Sequence, residues 1–164
     1  MTVWIRAYRE EDRAPCLAVF DANTPAFFLP AERPDFVAWL DDQDNPGEYF
    51  VAQGDAGVLG CGGIWLRENP TDPAGFVWGM VHPDHQRRGV GTLLARWRLA
   101  RLQTLGVTQV ALDTSQHTAP FYARLGFQEV RRTPGGYGPG LDRVDMISDL
   151  TGQGLGRESG KDHP

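Results

Sequence analysis

The stretch His82–Trp97, HPDHQRRGVGTLLARW, carries the strongest signal for fold and function in this sequence. Two arginines and two glycines stand directly before an apolar run with helical spacing. The spacing predicts a helix from about Gly89 to Leu105, with Gly106 as its C-terminal stop. The predicted apolar face of this helix consists of Val90, Leu93, Leu94, Trp97 and Ala100.

The start of this helix has the properties of an anion site. The first N–H groups of a helix have no partner within the helix, and the helix dipole adds about half a positive charge there. Gly89 and Gly91 let a ligand approach the backbone closely, and Arg87 and Arg88 bring charge to the rim. Residues 85–112 contain five arginines and no Asp or Glu. The turn is therefore predicted to hold a pyrophosphate, with a glycine-started surface helix and solvated arginines as the alternative.

Two known phosphate-binding motifs do not fit this stretch. The dinucleotide fingerprint Gly-x-Gly-x-x-Gly needs a third glycine at the position of Leu94. A P-loop needs a lysine directly before a Ser or Thr, but Gly91 precedes Thr92. A less specialised phosphate turn is the remaining interpretation.

Composition limits the class of protein. The 164 residues, 41% of them hydrophobic, suffice for one domain with a sizeable core. There are 16 Lys and Arg against 21 Asp and Glu, and the net charge of −5 argues against nucleic-acid binding and permits a cationic ligand. The sequence lacks a secretory signal pattern and a run of roughly 18 apolar residues. We expect a cytoplasmic protein with no membrane partner, in which Cys16 and Cys61 are buried free thiols.

The remaining pattern predicts a mixed α/β domain over residues 1–150. Strands are expected at Val3–Tyr8, Glu48–Gln53, Val58–Glu68, Phe76–Val81, Val107–Leu112, Phe127–Val130 and Arg143–Leu150. Further helices are expected at Arg9–Asn23, Pro34–Asp42 and Ala119–Leu125. A Gly- and Pro-rich loop is expected at Arg131–Leu141, and residues 151–164 are expected to form a flexible tail.

Two segments carry a resemblance to a known family. VHPDHQRRGVGTLL (Val81–Leu94) resembles the acyl-coenzyme A signature of the GNAT superfamily of N-acetyltransferases. The signature is a strand ending Val-x-Pro, followed by Gln/Arg-x-x-Gly-x-Gly/Ala at the start of a helix. FYARLGF (Phe121–Phe127) resembles the second recurrent segment of the family, a Tyr followed shortly by Gly-Phe. The order of the predicted elements is also similar to that of the family.

The resemblance implies an α/β (α+β) fold, a single GNAT-like domain. Its sheet would be mixed, mostly antiparallel and twisted, with about seven strands flanked by about four helices. In the family the two central parallel strands splay apart to admit the pantetheine arm of coenzyme A. Gly79 is a candidate for the β-bulge that starts this splay. Dimers are common in the family, so a homodimer stays open.

The implied activity is transfer of an acetyl group from acetyl-coenzyme A, as co-substrate, to a primary amine by direct attack in a ternary complex. Neither cysteine lies in a motif, which favours direct attack over an acyl-enzyme. The residues expected to bind coenzyme A are Met80, Val81, Gln86, Arg87, Arg88, Gly89, Val90, Gly91, Thr92 and Ser115. Relatives often carry an asparagine where this chain has Ser115. No metal is expected, because Pro83 breaks the helical register of the nearby histidines.

The reaction needs a proton donor and a proton acceptor. Tyr122 matches the family tyrosine near the thioester sulfur and is assigned as the general acid for the leaving thiolate. Many family members carry a glutamate on the strand before the phosphate turn, but FVWGMV has no carboxylate. Asp113 is the first substitute as general base, with a cap or turn role as the alternative. Glu68 and Asp72 are weaker options.

The acceptor is expected to be a small-molecule or peptide amine. Phe28, Tyr137 and Asp142 are assigned to its site from their location alone. Residues 32–55 also hold seven acids against one arginine, which would suit a partly apolar amine. Two other functions stay open: a non-catalytic module that binds or senses coenzyme A, and a nucleotide-phosphate binder.

Overall fold

The computed structural model describes residues 2–69 and 71–151, and these form a seven-stranded sheet and four α-helices. The strands are β1 (Trp4–Ala7), β2 (Gly47–Gly54), β3 (Gly57–Trp65), β4 (Ala74–Val81), β5 (Gln109–Thr114), β6 (Gln128–Gly138) and β7 (Leu141–Asp149). The helices are α1 (Arg13–Ala22), α2 (Arg33–Asp41), α3 (Val90–Thr104) and α4 (Ala119–Arg124). The expected sheet is confirmed. The predicted tail, apart from Thr151, lies outside the described residues, and the boundary at residue 150 stays a prediction.

The sheet is mixed, with strand order β1-β2-β3-β4-β5-β7-β6. The pairs β1–β2, β2–β3, β5–β7 and β6–β7 are antiparallel. β4 and β5 are parallel, and their pairing joins Ala74 to Val110 and Gly75 to Ala111. This parallel pair fits the predicted splay.

The chain forms two compact units. The first contains the residues up to Leu66 and Phe76–Arg98, and the second contains Arg67–Gly75 and the residues from Leu99 onward. The first unit has an apolar core between α1, α2 and the strands β2–β4. Its buried members are Cys16, Leu17, Val19, Phe20, Phe36, Leu40, Val51, Cys61 and Met80. Cys16 and Cys61 are buried free thiols, as predicted.

β4 changes the side of the sheet that its residues face. Phe76 packs under the guanidinium of Arg98, 4.0 Å from the ring centroid, whereas Met80 lies in the core with α1. In a regular strand these residues would share a face, because side chains alternate with a period of two. Trp78 has φ of 48°, in the left-handed region, and shifts this alternation. The predicted position of the irregularity, Gly79, is one residue away from the observed one.

The buried face of α3 differs from the predicted one. Leu93 and Trp97 are 39% and 45% exposed, whereas Leu94, Arg98 and Leu102 are buried. The guanidinium of Arg98 donates to the carbonyl oxygens of Leu94 and Gly63, each at 3.3 Å. The pattern of apolar residues does not identify this face, because such a pattern assigns an arginine to the exposed side of a helix. Its burial relies on the space at Gly62, where a Cβ would lie 2.9 Å from the guanidinium carbon.

The predicted Gly- and Pro-rich loop Arg131–Leu141 is wrong, because β6 runs to Gly138. β6 stands at the end of the strand order, where a strand tolerates a proline that cannot donate to a ladder. The pairing with β7 shifts register between Thr133 and Gly138, and the extra residues are accommodated there. The result is a long β6–β7 hairpin that ends at Gly138 paired with Leu141.

The start of α1 is held by a partly buried ion pair between Arg6 and Asp12. Arg6 donates to both oxygens of Asp12, at 2.7 and 2.9 Å, and the Arg9 N–H donates to Asp12 at 2.8 Å. Burial by itself would raise the pKa of Asp12. The hydrogen bonds from Arg6 and Arg9 and their charges outweigh burial, so the pKa lies below its usual value.

We expect Asp12→Asn to lower the free energy of unfolding by about 2 kcal/mol at neutral pH, because it removes charged hydrogen bonds to a half-buried guanidinium. A lowered carboxyl pKa stabilises the fold above the unfolded value of about 4, and this stabilisation is lost as pH falls through the native pKa. Urea unfolding at pH 7 and pH 3 checks this, with the exposed pair of Arg13 and Asp41 as control. A deficit equal at both pH values, or one matched by Asp41→Asn, would contradict the prediction.

No helix in the part of the chain that the structure describes is long and apolar enough to cross a membrane.

Candidate active site

The residues before α3 form a tight turn with two left-handed positions. A 3₁₀ turn, Pro83–His85, follows β4, and the His82 ring nitrogen Nδ1 accepts a hydrogen bond from the Asp84 N–H at 3.2 Å. Arg87 has φ of 63° and Gly89 has φ of 84°. Left-handed conformation costs a non-glycine residue about 1–2 kcal/mol, so the turn stores strain at Arg87. Residues 86–92 are called the anion turn below.

The anion turn contains backbone donors that precede the hydrogen-bond ladder of α3. The first backbone bond of the helix joins the Leu93 N–H to the Gly89 carbonyl at 3.0 Å. The N–H groups of Val90, Gly91 and Thr92 therefore precede the intrahelical ladder. A Cβ at Gly89 would meet no atom within 4 Å, so the space beside the turn is open. Exposed arginines at 87 and 88 border the same turn. The arrangement suits an anionic group of phosphate size.

Gln86 lies at the start of the anion turn, but its side chain points to the protein. Its Nε2 donates to Asn23 Oδ1 at 3.1 Å and to the Val81 carbonyl at 3.0 Å. Asn23 follows α1, is 2% exposed, and donates from Nδ2 to the same Val81 carbonyl at 3.0 Å. Sequence reasoning missed Asn23, because its partners are distant in sequence and an asparagine after a helix is an ordinary C-terminal residue.

The backbone of β4 has both predicted contact residues for the pantetheine arm. The Met80 carbonyl lies on the β3 side, 2.7 Å from the position of a Cβ on Gly60. The Val81 carbonyl accepts from Asn23 and Gln86, which uses both of its lone pairs. The Val81 carbonyl is therefore engaged within the protein. A contact between Val81 and the arm would use its N–H.

The histidines at the end of β4 face each other, with ring centroids 5.9 Å apart. Among the described residues, His85 Nδ1 is the one buried side-chain nitrogen without a hydrogen-bond partner. Residues 2–69 and 71–151 contain no group of three or more His, Cys, Asp or Glu arranged to hold a metal ion.

Tyr122 lies on α4, in the second unit, and is half-buried. Its ring makes edge contacts with Phe121 at 5.0 Å and Phe127 at 5.7 Å between centroids. Its carbonyl accepts hydrogen bonds from the N–H groups of Leu125 at 3.0 Å and Phe127 at 3.1 Å. These ring contacts and backbone hydrogen bonds fix the position of Tyr122 within the second unit.

Asp113 lies within β5, so the alternative of a cap or turn residue is wrong. It accepts a hydrogen bond from the Tyr137 hydroxyl, and the guanidinium of Arg143 lies 3.9 Å from its other oxygen. The charge of Asp113 is the largest of the effects that raise the pKa of Arg143 above its usual value. Tyr137 thus reaches Asp113 from β6, a contact that the predicted loop did not suggest.

Ser115 and Asp142 are used in local structure. The Ser115 hydroxyl accepts from the His117 N–H at 3.2 Å, and its carbonyl accepts from the N–H of Ala119 at 3.0 Å at the start of α4. Asp142 accepts from the Gly135 N–H at 2.9 Å within the β6–β7 hairpin. Both residues therefore have structural roles beside any contact with a ligand.

Phe28 belongs to an aromatic cluster in the first unit. Its ring stacks on Phe20 at 4.9 Å and lies 6.1 Å from Trp78. Trp78 in turn lies 5.1 Å from Phe36, and the hydroxyl of the partly buried Tyr49 donates to the Trp78 carbonyl at 2.7 Å. Phe28 and Trp78 are only partly buried, so the cluster reaches the surface.

Fewer of the seven acids in residues 32–55 are available to an amine than the sequence suggested. Asp41 pairs with Arg13 at 2.7 Å, and Glu32 accepts from the Leu29 N–H at 2.8 Å. Asp42 accepts from the Asp44 N–H at 2.9 Å in the loop after α2. Several acids of the stretch therefore stabilise the chain itself, and the aromatic rings dominate this part of the unit.

The predicted site residues divide between the two units. The first holds Phe28, Met80, Val81, Gln86, Arg87, Arg88, Gly89, Val90, Gly91 and Thr92. The second holds Asp113, Ser115, Tyr122, Tyr137 and Asp142. The weaker base candidates, Glu68 and Asp72, are exposed residues between β3 and β4.

The sequence profile of the acetyltransferase (GNAT) domain matches residues 45–129, more than half of the chain. The chain therefore belongs to the GNAT family of acetyltransferases, which use acetyl-coenzyme A. No curated protein matches the sequence significantly.

Solved structures share the fold at low identity. A GNAT-family protein from Desulfovibrio desulfuricans is 19% identical, with a TM-score of 0.78 over 91% of this chain and 99% of that one. The ribosomal-protein-S18-alanine N-acetyltransferase of Escherichia coli is 18% identical, with a TM-score of 0.76 over 91% and 94%. An aminoglycoside 6′-N-acetyltransferase solved with coenzyme A is 13% identical, with a TM-score of 0.73 over 90% and 97%.

Proposed function

We propose that this protein is an N-acetyltransferase that moves the acetyl group of acetyl-coenzyme A to a primary amine by direct attack in a ternary complex. The observation that carries the proposal is the anion turn at the start of α3, in a chain of the GNAT family. Its open side, its early N–H groups and its two exposed arginines fit the pyrophosphate of coenzyme A. Acetyl-coenzyme A supplies the activated acyl group, and the chain supplies binding, orientation and proton transfer.

In the proposed complex, the N–H groups of the anion turn and the charges of Arg87 and Arg88 bind the pyrophosphate. The N–H of Val81 binds the pantetheine arm, because the carbonyl of that residue is already engaged by two side chains. Gln86 was predicted as a contact of coenzyme A, and we propose that it acts by holding the turn, because its Nε2 donates to Asn23 and to the Val81 carbonyl. Ser115 is kept as a second contact for the arm through its hydroxyl, which can still donate while it accepts from His117.

The chemistry requires a neutral amine and a protonated leaving group. An amine with a pKa of about 10.4 is about 3.4 units from neutrality, so its deprotonation at pH 7 costs about 4.6 kcal/mol. A base or a water chain leading to one would take up this proton. We assign Tyr122 as the general acid, since a phenolic hydroxyl can donate a proton to the thiolate.

For the acceptor, the partly exposed rings of Phe28 and Trp78 favour an amine with an apolar body. Aromatic faces bind apolar groups and attract an ammonium group through the ring quadrupole. The observed left-handed φ of Trp78 also supports this location, because strained residues cluster at functional sites. A panel of amines graded from polyamines to arylalkylamines tests the acceptor as a class rather than as one compound.

Asp113 is retained as the proposed base, acting with Tyr137. We expect Asp113→Asn to lower kcat/KM about tenfold and to shift its pH profile, because the amide cannot accept the amine proton. Initial rates of thiol release between pH 5 and 9 measure this. The control is Asp149→Asn, which alters another exposed carboxylate bonded to a hydroxyl, that of Thr151. An unaltered profile in Asp113→Asn would remove this residue as the base.

The alternative is a non-catalytic module that binds or senses coenzyme A. It is favoured by the absence of a carboxylate on β4 and by the engagement of Asp113 with Tyr137 and Arg143. Thiol release from acetyl-coenzyme A against the amine panel separates the two functions. Amine-dependent release supports the transferase, whereas binding of coenzyme A without release for any amine supports the sensor.

A further inference from the structure

We propose that Asn23 is a positioning residue that holds the anion turn in its binding shape and links it to the chain segment carrying Phe28. The inference rests on the proposed function, because it takes the anion turn as the site of the pyrophosphate. Asn23 belongs to neither of the sequence motifs. It lies 58 residues before one of its partners, Val81, and 63 before the other, Gln86.

The side chain of Asn23 uses both ends of its amide. Nδ2 donates to the Val19 carbonyl at 2.9 Å and to the Val81 carbonyl at 3.0 Å, and Oδ1 accepts from Gln86 Nε2 at 3.1 Å. Gln86 also donates to Val81 at 3.0 Å, so the three residues close a ring of hydrogen bonds. At 2% exposure, Asn23 has little water to replace a lost partner.

This ring of hydrogen bonds holds the anion turn at Gln86, the residue directly before the strained Arg87. Arg87 adopts φ of 63°, which a non-glycine residue keeps only where its surroundings impose it. The side chain of Gln86, tied to Asn23 and Val81, supplies such a restraint on the preceding residue. Without it, we expect the turn to relax and its N–H groups to lose their common direction. Asn23 thereby acts on coenzyme A through Gln86, without touching it.

The backbone of Asn23 holds the opposite segment. Its carbonyl accepts from the N–H groups of Phe27 at 2.9 Å and Phe28 at 3.2 Å. One residue thus binds the anion turn with its side chain and the aromatic segment with its main chain. Coenzyme A binding that orders the turn should also order residues 24–28.

The test measures the Kd of coenzyme A by isothermal titration for wild type and Asn23→Asp. The substitution keeps the shape but replaces the donor that faces two carbonyl oxygens with an acceptor. We expect the Kd to rise about tenfold, which corresponds to the loss of one buried hydrogen bond. The KM of acetyl-coenzyme A should rise with it, while kcat at saturation stays within about twofold.

Asn45→Asp is the matched control. Asn45 also bridges two backbone groups, the Asp42 carbonyl and the Gly47 N–H, but in the loop before β2. Its substitution makes the same charge change and should leave the Kd unaltered. An equal Kd for wild type and a folded Asn23→Asp would overturn the proposal. If Asn23→Asp does not fold, Gln86→Leu replaces it, since it removes the other half of the ring from a half-buried position.

Hydrogen exchange adds a readout that a purely structural role would not change. Coenzyme A should slow amide exchange of residues 24–28 in wild type, and this slowing should be lost in Asn23→Asp. Equal slowing in both proteins would contradict the link. If wild type itself does not bind coenzyme A, the proposed function fails. If wild type binds and the variant binds equally well, the inference about Asn23 fails alone.

Discussion

Gly89→Asp is expected to weaken coenzyme A binding about 100-fold or more. Gly89 stands where α3 begins, beside the N–H groups proposed to hold the pyrophosphate. A carboxylate about 5 Å from one phosphate charge costs about 3 kcal/mol at an effective dielectric constant of about 20, which is about two decades in Kd. The space beside Gly89 is open, so the side chain enters it without displacing another residue.

Gly106→Asp separates charge from backbone strain. Gly106 follows the other end of α3, has φ of 80°, close to the 84° of Gly89, and likewise has no atom within 4 Å of an added Cβ. Both substitutions therefore impose the same left-handed strain and add the same charge. Titration calorimetry with coenzyme A should show the large loss for Gly89→Asp and near wild-type affinity for Gly106→Asp. Equal affinities in the two variants would place the pyrophosphate elsewhere.

The anion turn could be predicted because its signal is local. The arginines, the glycines and the following helix occupy one continuous stretch, and the physics of a helix start depends on that stretch alone. The stop at Gly106 followed in the same way, and its φ of 80° is the left-handed conformation that a glycine allows after a helix.

The predictions from sequence were wrong where contacts between residues distant in the chain determine the structure. The inner face of α3 includes Arg98, because Gly62 and Phe76 on other elements leave space and an aromatic face for a guanidinium. The segment predicted as a loop became β6, because β7 offers it a pairing partner. Asn23 was missed for the same reason. A single sequence shows which residues can form such contacts, but not which partners they meet.

Tyr122→Phe is expected to lower kcat about 100-fold, the lower end of what a general acid contributes. The hydroxyl would protonate the thiolate of coenzyme A as the acetyl group leaves. A thiol with a pKa of about 8.5 is a moderate leaving group, so the reaction keeps some rate without a donor. The phenyl ring preserves the edge contacts with Phe121 and Phe127, so the helix α4 and the affinity for coenzyme A should change little.

The alternative for Tyr122 is that it only positions coenzyme A, and the two roles predict opposite kinetic patterns. Loss of a proton donor lowers kcat at an unchanged KM of acetyl-coenzyme A, whereas loss of a positioning contact raises KM at an unchanged kcat. Steady-state rates of thiol release distinguish them. Tyr8→Phe is the control, because Tyr8 is also half-buried and makes an edge contact, with Tyr49 at 5.9 Å. A kcat for Tyr122→Phe within about twofold of the control would exclude acid catalysis by this residue, since general acids contribute far more than that.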